Sequence, residues 1–298
     1  MSKEPLLINI HIPFCPGHCV YCEEKSFGQN IGYLHRYLRA LEKELDGARE
    51  ELSDFDVCAV HLHPDALSLL GPGALDDFLG KLEKNIPTSE ATEWVAEASP
   101  GELTEEMVYV LQRRHGIRRI ELQLMGLSKD ELRELHRPYT ENIAVAALRQ
   151  LEQTPIEGLD LDYAIGVPGQ TTEQLSSTLE TLAGLKPGQI SLRRFHNKRL
   201  SPVAQREYAE ETDWGELICA AERTLSGSGY ERAKKSLHFA RPGCLRYENS
   251  PEADAVGVMG FGIGAVTRLE GLHYRNTADF ALYLEHSDDP EVIAELLL

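Results

Sequence analysis

The chain has 298 residues, of which 42% are hydrophobic, and this fits one large globular domain or a barrel with a small extension. A formal net charge of −18 argues against a nucleic-acid partner, because binding to a phosphate backbone generally requires a basic face. No apolar run approaches the ~20 residues of a membrane-spanning helix, and the N-terminal MSKEPLLINI lacks the long apolar region of a signal peptide.

The first predicted strand, residues 6–13, leads directly into a loop that contains three of the six cysteines. Cys15, Cys19 and Cys22 lie within eight residues, and the prolines and glycine around them exclude a helix. Three such thiolates cannot pair off as disulfides, but all can bind one iron–sulfur cluster and leave one iron of a four-iron cluster open. A zinc site is disfavoured, because zinc usually takes four ligands and His18 is badly placed. Thiols in such a loop, without a secretory signal, predict a cytoplasmic location.

Helical and strand-like patterns alternate from here to about residue 199. Leucines between positions 34 and 52 recur every three or four residues, which predicts an amphipathic helix of roughly twenty residues. Thr104 is expected to cap the third helix and Gly116 to end it. The segments after the first helix are VCAVHLH (strand), LDDFLGKLEKNI (helix), EWVAEASP (strand), TEEMVYVLQRRHG (helix), RRIELQLMG (strand), SKDELRELHR and AVAALRQLEQ (helices), GLDLDYAIGVPGQ (strand), TTEQLSSTLETLAGL (helix) and QISLRRF (strand).

Six strands that alternate with helices predict an α/β fold built from parallel β/α units. A partial (β/α)6 barrel and a doubly wound open sheet both fit this pattern, and in either fold ligands bind at the C-terminal ends of the strands. The cysteine loop follows the first strand at that end. We assign residues 4–199 to this domain and residues 200–298 to a short α+β extension packed on it. The extension contains one more predicted helix and the glycine-punctuated stretch AVGVMGFGIGAVTRL.

The cysteine spacing, the aromatic Tyr21 before the last cysteine and the HIPFC lead-in resemble the radical S-adenosylmethionine (SAM) superfamily. The lead-in is most similar to the branch with oxygen-independent coproporphyrinogen III oxidase, heme chaperones and radical methyltransferases. The resemblance implies a partial (β/α)6 barrel and a 4Fe–4S cluster on Cys15, Cys19 and Cys22. It also implies SAM as cofactor, bound through its amino and carboxylate groups to the open iron. An electron from a reductant such as flavodoxin or ferredoxin would then cleave SAM to a 5′-deoxyadenosyl radical.

The resemblance runs from about residue 7 to residue 284 and implies further cofactor-binding residues. EASPGELT is similar to the segment in which a glutamate, here Glu97, contacts SAM. The segment after the fourth strand supplies Arg137, and LDLDYAIGVPGQT supplies Asp162, which would bind the ribose hydroxyls. Tyr21 and Gly166 complete the implied set. Judged from the residues alone, Glu97 could instead cap a helix, Arg137 could pair with a surface glutamate, and Gly166 could only shape a turn. Asp162 needs a buried partner in its apolar strand.

Several segments depart from the family pattern. The family has a glycine-rich segment after strand two whose backbone receives the methionine moiety, whereas this chain has HPDALSLL at His63–Leu70. Bulkier residues there leave less room for a ligand. Asn9 and Met125 replace a tyrosine and a glutamine expected in the branch. We also expect the C-terminal domain that covers the oxidase's substrate to be missing, since few residues follow the last matching segment.

A basic run stands at the end of strand six and contains Arg193, Arg194, His196, Lys198 and Arg199. It could bind substrate carboxylates such as porphyrin propionates, because guanidinium groups bind carboxylates bidentately. It could equally be a solvated loop face.

We therefore predict a radical SAM oxidoreductase that acts on a porphyrin-type or other large conjugated substrate, or on a partner protein. A radical methyltransferase is an alternative, in which Gly260–Ala265 would help to bind a second SAM. A non-enzymatic heme-binding or heme-delivery protein is another, with His238, Cys244 or His273 as axial ligands. A fourth is a degenerate member that retains its cluster for structure or sensing.

Overall fold

The structure is a computed structural model of the protein. It describes residues 3–15, 19–22, 26–63, 67–101, 103–153, 156, 158–200, 204–205, 208, 212–234 and 236–297. The predicted α/β architecture is confirmed. The six predicted strands form the centre of one mixed sheet, where they are parallel and lie in sequential order. They are β1 (Glu4–His11), β2 (Phe55–His63), β3 (Glu93–Ala98), β4 (Arg119–Met125), β5 (Gly158–Ile165) and β6 (Gln189–Arg194).

The helices between these strands follow the sequence patterns. Thr104 caps the third helix through Met107 N, as predicted, and this helix continues as a π-helical turn at Val110–Arg114. Thr171 forms a capping box with Gln174 at the start of the sixth. The helices are α1 (Ile31–Leu52), α2 (Leu67–Asn85), α3 (Glu105–Tyr109), α4 (Lys129–Glu134), α5 (Glu141–Gln153) and α6 (Thr172–Gly184). Among the described helices, none has the length and apolar character needed to cross a bilayer.

The C-terminal extension lengthens the sheet at both edges. On one side β8 (His238–Ala240) pairs antiparallel with β6, and on the other β9 (Gly257–Phe261) pairs parallel with β1. The strands β1 and β6 therefore do not pair, and the six parallel strands form a partial, open barrel. The elements of the extension are α7 (Trp214–Gly227), β7 (Glu231–Arg232), β8 (His238–Ala240), β9 (Gly257–Phe261), β10 (Val266–Leu269), β11 (Leu272–Asn276), α8 (Phe280–His286), α9 (Pro290–Ile293) and β12 (Ala294–Leu296).

The glycine-punctuated stretch proves to be β9, a tight turn and β10. A Cβ on Gly260 would lie 2.6 Å from Val266 O, and one on Gly262, whose φ is +100°, would lie 2.5 Å from His11 O. Glycine is therefore required for close backbone approach and for a left-handed conformation. Because so many glycines weaken a strand pattern, the two strands were not predicted from the sequence.

A carboxylate on α1 attaches the extension to the barrel. Glu44 accepts hydrogen bonds from Gly262 N at 2.8 Å, Asn276 Nδ2 at 2.6 Å and Tyr283 Oη at 2.6 Å. Burial raises the pKa of Glu44 to about 7, because these three donors only partly offset the loss of hydration. The helix is thus bonded to the turn after β9, to β11 and to α8.

Replacement of Glu44 by glutamine tests this arrangement. The pKa of Glu44 rises on folding from about 4.5 to about 7, so the folded state binds the proton more tightly and loses stability as pH rises through this range. We expect the free energy of unfolding of the wild type to fall relative to Glu44→Gln by up to about 3 kcal/mol between pH 5 and pH 8. Urea unfolding across this range measures it. Glu50→Gln, an exposed change on the same helix that leaves Glu44 intact, should lose stability with pH in parallel with the wild type. A parallel pH profile for wild type and Glu44→Gln would contradict the assignment.

Candidate cofactor site

The cysteine loop lies at the C-terminal ends of the parallel strands. Cys15 and Cys19 are half-buried and Cys22 is exposed. The Ser26 hydroxyl accepts from Cys15 N and donates to Cys15 O, both at 3.2 Å. Val20 N donates to Leu135 O at 3.2 Å. The loop is therefore fixed both to itself and to the end of α4. His18, weighed above as a zinc ligand, lies outside the described residues.

Arg137 connects this loop to the sheet. Its Nη1 donates to Tyr21 Oη at 2.8 Å and lies 3.5 Å from Cys19 Sγ. Its Nη2 donates to Ser99 Oγ at 3.1 Å and to Gln123 O at 2.7 Å. Burial raises the pKa of Tyr21 well above 10, so its phenol is neutral and can accept from the guanidinium. Arg137 is therefore a half-buried residue that links a cysteine of the loop to Ser99, after β3, and to Gln123 of β4.

Glu97 is buried at the end of β3 and meets two histidines that the sequence analysis did not select. His63 Nδ1 lies 2.5 Å and His61 Nε2 3.2 Å from Glu97 Oε1, and Gln123 Nε2 donates to Oε2 at 2.6 Å. Burial alone would raise the pKa of Glu97, but the charge of His63 and the hydrogen bonds of both imidazoles outweigh it and lower the pKa to about 2. Glu97 does not cap a helix. The H-x-H spacing of His61 and His63 is the sequence feature that could have predicted this contact, since alternate residues of a strand point to the same side.

Asp162 has the buried partner that its sequence required. Arg193 Nε donates to Asp162 Oδ2 at 2.7 Å. Burial, together with the nearby Glu121, raises the pKa of Asp162 well above its ordinary range. The other oxygen, Oδ1, is buried and accepts no hydrogen bond from the described N–H and O–H donors, although the Glu121 carboxyl group lies within hydrogen-bonding reach of Asp162. One acceptor atom of Asp162 therefore faces the interior without a donor.

A buried arginine from the extension neutralises the acids of the barrel interior. Arg246, 1% exposed, donates to Glu121 and lies 2.9 Å from Glu248 Oε1. Glu248 Oε2 in turn lies 2.8 Å from His61 Nδ1. The coulombic attraction of Arg246 holds the pKa of Glu121 well below its usual range despite burial. No sequence signal pointed to Arg246, because it lies in an irregular segment between β8 and β9.

The basic run does not form one surface. Arg193 points toward Asp162 and Glu121, whereas Arg194 lies over the Trp214 ring with its guanidinium carbon 5.4 Å from the centroid. Neighbouring strand residues point to opposite sides, which explains the split. His196 is exposed, with Nδ1 3.4 Å from Arg194 O. The assignment of Arg193, Arg194 and His196 to a substrate stays a prediction.

The remaining candidates have local structural contacts. Gly166 has φ +74°, and a Cβ there would lie 2.5 Å from the Trp214 ring, so the position requires glycine whatever else it does. His238 lies on β8 with Nδ1 2.9 Å from Ser191 Oγ, whereas His273 lies on β11 near the other edge of the sheet. The structure therefore does not bring these two histidines together. Within Gly260–Ala265, the Gly262 backbone is already bonded to Glu44.

Comparison with known proteins decides the family. A family model for the radical SAM superfamily matches residues 9–182, more than half of the chain. The chain belongs to this superfamily. Its relatives include the heme chaperone HemW of Lactococcus lactis, 24% identical over 100% of this chain and 79% of that protein. The oxygen-independent coproporphyrinogen III oxidase of Escherichia coli is 23% identical over 96% of this chain and 66% of that protein.

The solved structure of coproporphyrinogen III oxidase (HemN) from Escherichia coli has a TM-score of 0.78, at 20% identity, and covers 99% of this chain and 73% of that one. This likeness confirms the fold, and the family match confirms the resemblance drawn from the sequence. Radical SAM proteins use a 4Fe–4S cluster and SAM. The thiol donors of the loop are chemically suited to such a cluster.

Loss of Arg246 should destabilise the protein strongly. Arg246→Met would leave Glu121 and Glu248 without their buried cation, and breaking a buried ion pair costs about 3–5 kcal/mol. Arg232→Met is the matched control, since Arg232 pairs with Glu222 at the surface, where such pairs contribute about 0–1 kcal/mol. Urea unfolding of both variants measures the difference. Equal, small losses would show that Arg246 is not needed to neutralise the interior.

Proposed function

We propose that the protein is a radical SAM enzyme that acts on a porphyrin-type or other large conjugated substrate. In this proposal Cys15, Cys19 and Cys22 hold a 4Fe–4S cluster, which supplies the electron that cleaves bound SAM to methionine and a 5′-deoxyadenosyl radical. The observation that carries the proposal is the position of Arg137, which contacts Cys19 and Tyr21 and bonds to the backbone of β4. A cation and hydrogen-bond donor beside a cluster ligand also tunes the reduction potential.

The chain's own residues would bind and orient SAM. Asp162 Oδ1 is a buried acceptor without a donor among the described residues, which suits a ribose hydroxyl. Arg193 holds the other oxygen at 2.7 Å and so fixes the carboxyl group. Glu97 would contact SAM from β3, with Gln123 holding its second oxygen. Gly166 would let the backbone approach at the end of β5. These roles follow from the family resemblance and agree with the burial and direction of each group.

A porphyrin-type substrate is supported by the relatives, which include both coproporphyrinogen III oxidases and heme chaperones. The exposed Arg194 at the end of β6 offers a cation for a propionate at the strand ends. A reductant such as flavodoxin or ferredoxin would supply the electron.

The same relatives support a second candidate, a heme-delivery protein without catalysis. Three HemW proteins match 93–100% of this chain at 23–24% identity. Titration with heme, followed by absorbance, tests this candidate.

For the enzymatic candidates, product analysis distinguishes oxidation, which releases carbon dioxide, from methyl transfer, which yields S-adenosylhomocysteine.

The first prediction from the proposed function concerns SAM cleavage. Protein reconstituted with iron and sulfide without oxygen, then given a strong reductant and SAM, should form 5′-deoxyadenosine, measured by chromatography. Single changes of Cys15, Cys19 or Cys22 to alanine should abolish its formation, because each removes a cluster ligand. Cys219→Ala, an exposed thiol on α7, is the control and should retain activity. A fully loaded cluster that gives no product, with SAM alone and with porphyrinogen present, would refute the enzymatic proposal and favour heme delivery or sensing.

The second prediction concerns the substrate. Arg194→Glu should weaken binding of a porphyrin carboxylate roughly tenfold or more, because a charge-assisted hydrogen bond contributes about 1.5–3 kcal/mol. Fluorescence or absorbance titration measures the affinity. Arg232→Glu, on the edge strand β7 two strands away from β6, controls for the change in net charge. Equal affinities for the two variants would remove Arg194 from the substrate site.

A further inference from the structure

Two histidines and a glutamate meet at the open end of the barrel. His61 and His63 alternate on β2, so both project to one side, and Glu97 faces them from β3. Their ligand atoms, one from each residue, all lie within 4.8 Å of one another. The two imidazole rings have centroids 3.6 Å apart. Two imidazoles and one carboxylate form a donor set that zinc and related divalent transition metals bind in proteins.

The spacing of these atoms suits a single ion. Two ligand atoms that each lie 2.0–2.1 Å from a tetrahedral ion are about 3.3 Å apart. His61 Nε2 lies 3.2 Å from Glu97 Oε1 and 3.3 Å from Glu121 Oε2. The His63–Glu97 pair, at 2.5 Å, would need to open by about 0.8 Å to reach this spacing.

The orientation of His61 is an independent indication. Its side chain is 5% exposed, and its Nε2 points at two carboxylates, 3.2 Å from Glu97 Oε1 and 3.3 Å from Glu121 Oε2. Its other nitrogen, Nδ1, is held by Glu248 Oε2 at 2.8 Å. A metal-bound imidazole typically has its second nitrogen fixed by a carboxylate in this way. Gln123 holds the second oxygen of Glu97 similarly, at 2.6 Å.

We propose that His61, His63 and Glu97 bind one divalent transition-metal ion of the zinc class. The His63 side chain is 26% exposed at the end of β2, so an ion can enter from the open end of the barrel. The site shares no ligand with the cysteine loop, and metal binding to it does not require the proposed radical chemistry. Because Glu97 is also the carboxylate assigned to SAM, the ion and a SAM contact at Glu97 exclude each other.

The test is Zn²⁺ and Co²⁺ binding to the full chain with its cysteine loop reconstituted, measured by calorimetry and by metal analysis after dialysis. We expect one Zn²⁺ per chain in addition to the cluster iron, and visible Co²⁺ bands typical of nitrogen and oxygen ligands. His63→Ala and Glu97→Gln should each weaken binding at least tenfold, and Gln123→Ala about tenfold, as for the loss of an outer hydrogen bond. His35→Ala, an exposed histidine on α1, should bind like wild type.

Two further measurements make the outcome decisive. The variant with all three loop cysteines changed to alanine should still bind one Zn²⁺, which separates this site from adventitious thiol binding. Circular dichroism shows whether each variant is folded. If His63→Ala does not fold, the nearly isosteric Glu97→Gln alone tests the loss of a ligand. Absence of the additional Zn²⁺ in the wild type, or equal binding by wild type and Glu97→Gln, would overturn the proposal.

Discussion

The charge balance inside the barrel depends chiefly on one arginine, Arg246. Parallel strands bring Glu121 and Asp162 to the same interior, and burying such charges without partners is prohibitively costly. Arg246, supplied by the C-terminal extension, donates to Glu121 and pairs with Glu248. Arg193 compensates Asp162 from β6. The extension is therefore part of the barrel's electrostatics as well as of its sheet, since β9 pairs with β1 and β8 with β6.

This balance sets the geometry at the strand ends. Glu97 is held on both oxygens, by Gln123 and by His63, and Asp162 is held on Oδ2 by Arg193, so both carboxyl groups have fixed directions. Arg137 fixes the position of the cysteine loop in the same way, because it bonds to the backbone of β4 and contacts Cys19. Prearranged side chains of this kind are what a cofactor site requires, since ordering them upon binding would reduce affinity.

Sequence reasoning predicted much of this structure, for physical reasons that differ between its parts. The six central strands and their helices follow local hydrophobic periodicity, and caps such as Thr104 follow local hydrogen bonding. The cysteine loop was evident because three thiols at short spacing have few other uses. Asp162 was recognised as needing a partner because a carboxylate in an apolar strand is costly to bury.

The rest depends on contacts between distant segments. Arg246 lies 125 residues from Glu121 in the sequence, and its irregular segment carries no periodic pattern. Strands β9 and β10 were hidden by glycines that only the close approach of neighbouring backbone explains. His61 and His63 were read as part of an apolar strand, although their alternation placed both on the interior side with Glu97. Arg193 was counted with its basic neighbours, because a linear run does not show which side of the strand each residue faces.

The central claim is that the three-cysteine loop holds a cluster with one iron open to SAM. Electron paramagnetic resonance of the reconstituted, reduced protein tests it most directly, with spectra recorded before and after addition of SAM. We predict a reduced 4Fe–4S signal that changes when SAM is added and is lost in Cys19→Ala. A loaded cluster whose spectrum is identical with and without SAM would contradict the claim.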